Sequence, residues 1–173
     1  MKKVIGGFAA LAFLFVVASC GGASEADLIG KWSVDPSSID IKLGDGVPSE
    51  MKAMVKEGKK EMMAEGSEDM KAATIEFKEG GKLVVGAEGQ SQEGTWSLDG
   101  DNLTLGMEEG GQKMEVTVQV EMDGDSMTAT LTAEEIMKLL KESGMDQMIQ
   151  AQAGAELDKM VDGTSISVTF NKK

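Results

Sequence analysis

The chain has 173 residues and a net charge of −13; all 17 of its basic residues are lysine, and it contains neither His nor Tyr. The acidic surplus repels nucleic acid and anionic lipid head groups. The lack of Arg and His removes the bidentate phosphate grip, the usual proton shuttle and the commonest metal ligand.

The first segment has the three parts of an export signal: Lys2 and Lys3, an apolar run from Val4 to Val17, then the small pair Ala18-Ser19. The run is short for a bilayer-spanning helix. Cleavage is therefore expected before Cys20, with residues 1–19 removed. Val17-Ala18-Ser19-Cys20 resembles the lipobox of bacterial lipoproteins. That resemblance implies a diacylglyceryl thioether on the Cys20 sulfur and an acyl chain on its amine, so that lipid on Cys20 anchors the protein to a membrane. In a Gram-negative envelope, Gly21 after the cysteine is similar to the pattern of lipoproteins delivered to the outer membrane. Cys20 is the only cysteine, so no disulfide is expected.

Processing leaves 154 residues, the size of one domain with a single core. Without Lys2 and Lys3, 15 lysines face 30 acidic residues, a net charge of −15. Residues 20–25 read as a lipidated tether, its last five residues spanning about 17 Å when extended, and residues 26–173 as the folded domain.

Period-two alternation predicts half-buried strands through most of that domain. In chain order the apolar sets are Leu28, Gly30, Trp32 and Val34; Ile75 and Phe77; Leu83, Val85 and Ala87; Trp96 and Leu98; Leu103, Leu105 and Met107; Met114 to Met122; Met127, Ala129 and Leu131; and Ile166, Val168 and Phe170. Ile39 to Leu43 also alternates, either extending the first strand or adding an edge. Two stretches have helical spacing instead. Ser49 to Ala72 places Met51, Met54, Val55, Met62 and Met70 near one face. Thr132-Ala133-Glu134-Glu135 reads as a capping box opening a helix that Gly144 stops, with Met145 set to touch Leu140. A further helix is expected from Asp146 through Met148, Ile149 and Leu157 to Met160.

The connections indicate how the strands are joined. Glu79-Gly80-Gly81, Asp99-Gly100-Asp101 and Asp123-Gly124-Asp125 are tight hairpin signals. The helical insertions and two longer glycine-rich loops, Glu88–Gln92 and Glu108–Gly111, alternate with them. An up-and-down order would gather tight turns on one rim and long connections on the other. The predicted fold is therefore a mainly β, eight-stranded antiparallel barrel, with two helical insertions capping the rim away from the chain ends.

Gly30-Lys31-Trp32, Gly94-Thr95-Trp96 and Asp99-Gly100-Asp101-Asn102-Leu103 are similar to motifs of lipocalins and of the lipocalin-like domains of bacterial lipoproteins. This resemblance implies an up-and-down barrel and, by analogy with family members that carry ligands, a small apolar cargo. The expected lining is apolar, with Trp32, Phe77, Val85, Trp96, Leu98, Val116, Val118, Ala129 and Phe170 among its members. Met51, Met54, Met62 and Met148 are the candidate lid residues. Without Arg or Tyr to hold a carboxylate, the expected ligand is neutral or leaves its head group at the mouth. The other expectation is a barrel filled by its own side chains, acting as a structural or protein-interaction module of the cell envelope.

No catalytic residues, cofactor or nucleic-acid partner are expected. With no His, and with Cys20 acylated as the lipobox implies, the common nucleophile–base pairs are missing. The acidic groups at Asp99, Asp101, Asp123 and Asp125 read as hairpin chemistry, not as calcium ligands. The 14 methionines read as adaptable packing and not as a copper site.

Overall fold

The structure, a computed structural model, describes residues 22–65, 67–87, 89–109, 112–143 and 157–173. A short helix α1 (Glu25–Leu28) leads into β1 (Gly30–Lys42), followed by helices α2 (Ser49–Glu65) and α3 (Ser67–Ala72). Then come β2 (Thr74–Lys78), β3 (Lys82–Ala87), β4 (Gln90–Asp99), β5 (Asn102–Glu109), β6 (Gln112–Asp123) and β7 (Ser126–Leu131). Helices α4 (Ala133–Glu142) and α5 (Leu157–Val161) precede β8 (Ser165–Lys172).

The eight strands pair in sequence order, all antiparallel, and β8 returns to β1 to close the barrel. Closure removes the sheet edges that an alternating apolar face would otherwise leave open. Cross-strand partners share a face. The register thus places Trp96, Leu105 and Val116 together on the inside, as it does Val120, Ala129 and Val168. The outer face is polar, with hydroxyl pairs between Thr104 and Thr117 and between Thr128 and Thr169. A membrane-spanning barrel needs the opposite arrangement.

The predicted tight turns lie on one rim, where Gly80, Gly100 and Gly124 have φ of 74°, 61° and 60°. Both helical insertions leave from the other rim, after β1 and β7. The two other connections on that rim are shorter than expected. Ala87 pairs with Gln90 and Glu109 with Gln112, so the strands run almost to the turns. Two-residue connections need little more than glycine's freedom, and Gly89 has φ 80°.

Three further local features have identifiable causes. Leu28 belongs to α1 and not to the first strand: the Ser24 side chain accepts from the Asp27 N–H, opening a helical turn that buries Leu28. The Ala23 N–H donates to Asp101 at 3.2 Å, which places Ala23 beside the tight rim. The Ile39–Leu43 alternation extends β1 through an irregularity between Asp35 and Asp40. There Pro36 has no N–H to lose, and the Ser38 hydroxyl accepts from the Thr169 N–H at 2.7 Å.

Thr132 precedes α4 as expected but makes no side-chain cap bond, and Glu135 does not complete a capping box. β6 runs on past the point where β7 leaves it. The Thr117 N–H, which faces that gap, donates to the nearly buried Glu135 carboxylate at 3.0 Å. The carboxylate thus supplies the acceptor a strand would have offered, because an unpaired buried N–H is costly. Gly144, Met145 and the helix expected from Asp146 lie outside the described residues, except that α5 coincides with its predicted end.

Candidate functional site

The barrel interior has two unlike parts. Beside the tight turns it is a packed floor, where Leu28, Trp32, Phe77, Leu83, Trp96, Leu103, Met127 and Phe170 are buried in one cluster. Phe77 and Trp96 meet edge to face, with ring centroids 5.4 Å apart. Each indole N–H is satisfied: Trp32 donates to the Leu28 carbonyl at 2.7 Å and Trp96 to the Lys78 carbonyl at 3.0 Å. The Lys172 ammonium lies 5.2 Å from the Trp32 ring and donates to the Asp27 carbonyl, so α1, β1 and β8 are tied together under the floor. Close backbone approach seals the adjoining wall, where a Cβ on Gly94 would strike the Gly106 carbonyl.

The remaining inward positions behave differently. Ile75, Val85, Leu105, Val116, Val118 and Val168 all share the register of the buried core, yet each is only partly buried, and all but Val116 pack against the floor cluster. A side chain aimed at the axis of a closed barrel meets water only where the interior is open. These six side chains are apolar, and Gln92, the partner of Val85, shares their face.

The nine expected lining residues therefore divide. Trp32, Phe77, Trp96, Ala129 and Phe170 are buried in the floor cluster, whereas Val85, Leu98, Val116 and Val118 are half-buried. At the open rim, a cavity of about 320 Å³ lies where β4 parts from β5, with Gly94, Met107 and Met114 on its inward side. A second cavity, of about 780 Å³, separates the end of β6 from Lys138, Leu139 and Glu142 of α4.

The methionines of α2 are not packed into the core. Met51, Met54 and Met62 are exposed, Met54 by 71%. The α2 helix meets the rest of the fold chiefly through α3 and an ion pair between Lys59 and Asp40 at 3.7 Å. Gly58 and the even mixture of lysine and glutamate leave α2 without the continuous apolar stripe that would press it onto the barrel. Met148 lies outside the described residues. Among those residues, no three acidic, histidine or cysteine side chains gather into a metal-binding group.

Sequence reasoning missed the role of Glu135. Lys138 donates to the same carboxylate at 2.9 Å, and this hydrogen bond holds the ammonium above its ordinary value of 10.5. That contribution is complete below the ordinary lysine value and is lost as pH rises through the raised one. Glu135→Ala is expected to lower stability by about 1–3 kcal/mol, because it strands the Thr117 N–H. Glu135→Gln, which keeps an acceptor, should lose less; urea unfolding of the two variants checks the order.

Comparisons with known proteins return no matching family, no similar curated protein and no similar solved structure.

Proposed function

We propose that the protein is a membrane-anchored bacterial lipoprotein whose lipocalin-like barrel holds a small, neutral, apolar molecule in its open half. One observation carries this reading: side chains facing the axis of a closed barrel, Val85, Leu105, Val116, Val118 and Val168 among them, are partly open to solvent. Covering such a wall with an apolar ligand removes it from water at roughly 25 cal/mol per Å². An eight-stranded barrel has an interior wide enough for one small ligand. A charged head group would find no arginine in the chain to pair with.

The anchor completes the proposal. With Ala23 bonded to Asp101, only Gly21 and Gly22 separate Cys20 from the tight rim, a reach of about 10 Å. The floor then rests near the bilayer and the mouth opens away from it, toward whatever supplies or receives the molecule.

The packed floor of Trp32, Phe77, Trp96 and Phe170 supports a second reading, a filled barrel serving as an envelope interaction module. One experiment separates the two. The vesicle-anchored protein is photolabelled with a diazirine-bearing fatty alcohol and the crosslinked peptides are mapped. Carriage predicts label on Val85, Leu105, Val116 and Val118, and a loss of about tenfold or more in Val116→Phe, which fills the space. Label confined to the outer surface, or unchanged in that variant, favours the filled barrel.

A further inference from the structure

We propose that Met114 is a site of reversible oxidation, and that its sulfoxide closes the barrel mouth to apolar cargo. The consequence for cargo rests on the ligand reading above; the assignment of the site does not.

The chain's oxidisable side chains narrow the choice. It has no His or Tyr, and its one cysteine is Cys20. Trp32 and Trp96 are buried, at 0% and 5% exposure. Among the described residues, the large apolar side chains that stand exposed are Met51, Met54, Met62, Met114 and Ile166, so the oxidant-accessible members are thioethers. Three of these four methionines are on α2. Met114 is 54% exposed yet in the inward register of β6, opposite Met107.

Its position gives its oxidation a consequence. Met114 borders both rim cavities, the one where β4 parts from β5 and the one beside α4. A hydroperoxide would deliver its distal oxygen to the thioether sulfur. The O–O bond breaks, an S–O bond forms, sulfur loses two electrons, and the peroxide leaves as an alcohol after taking back the proton. The product replaces a flexible apolar group with a strongly polar acceptor. An apolar molecule entering past it must desolvate that oxygen. Reduction by methionine sulfoxide reductases restores the thioether.

The test treats the vesicle-anchored protein with tert-butyl hydroperoxide, maps sulfoxides by peptide mass spectrometry, and repeats the diazirine photolabelling. Met114 should oxidise along with Met51, Met54 and Met62, while Met127, at 1% exposure, stays reduced. Inner-wall labelling should fall about tenfold, the scale of setting one polar group against an apolar ligand. It should recover with the two stereospecific reductases. In Met114→Leu, a volume-conserving change, peroxide should leave labelling untouched. Met114 remaining reduced while the α2 methionines oxidise would overturn the site. Equal labelling before and after oxidation, or an equal loss in Met114→Leu, would overturn its effect on cargo. If the reduced parent takes no inner-wall label, the ligand reading and the gating both fail, and the sulfoxide map alone decides whether Met114 is modified.

Discussion

Trp32→Ala is expected to lower the unfolding free energy by about 3–5 kcal/mol, the range for deleting a large buried aromatic side chain. The indole is fully buried and joins three elements that are distant in sequence. It stands in register with Ile75 of β2 and Lys172 of β8, and its N–H is the partner of the Leu28 carbonyl. Truncation opens a cavity at the seam where the barrel closes and leaves that carbonyl without its donor. The Lys172 ammonium also loses the ring it lies over. Trp32→Phe keeps most of the volume and should cost less, chiefly through the lost hydrogen bond. Urea unfolding monitored at Trp96 measures both. A cost below about 1 kcal/mol for the alanine variant would mean that the seam repacks.

The second large effect concerns the anchor. Cys20→Ser is expected to abolish acylation and to leave the signal segment uncleaved, and a chain beginning at Gly21 should be soluble. One fatty chain supplies a membrane partition constant of only about 10⁴ M⁻¹, and stable attachment requires more than one. Loss of every chain should therefore lower membrane partition by at least about 10⁴-fold. The acidic turns Asp99-Gly100-Asp101 and Asp123-Gly124-Asp125 on the tight rim would offer no electrostatic substitute. Intact-mass analysis of the membrane fraction decides the matter: an unmodified Cys20 there contradicts lipid anchoring.

The barrel was legible because its signals are local and mutually consistent. The alternation from Met114 to Met122 can be satisfied only by a strand with one buried face, and Asp-Gly-Asp turns admit only tight hairpins. Strand parity likewise put all nine expected lining residues on the inner face. The features that escaped depend on contacts far apart in sequence. Glu135 has the spacing of a capping residue, but the unpaired Thr117 N–H on β6 competes for its carboxylate and wins. Leu28 continues a strand-like alternation, yet the Ser24 cap and the Trp32 indole draw it into a helical turn beneath the floor. Glu88–Gln92 and Glu108–Gly111 look like loops because they are polar and rich in glycine, although both flanking ladders extend nearly to their ends. The contrast between a packed floor and half-buried inward side chains beyond it, which the ligand reading takes as an open wall, was not legible at all. Periodicity tells which side chains face inward, not whether the space between them is filled.

The most direct test of that open wall is methyl NMR of the protein, isotope-labelled at valine, leucine and isoleucine, during titration with a small neutral apolar probe such as a medium-chain alcohol. An accessible axial space predicts saturable shifts at Val85, Leu105, Val116, Val118 and Val168, with little change at the floor methyls of Leu83 and Leu103. Shifts confined to outward-facing or helical methyls, with those five unmoved at saturating probe, would contradict the account and leave a barrel filled by its own side chains.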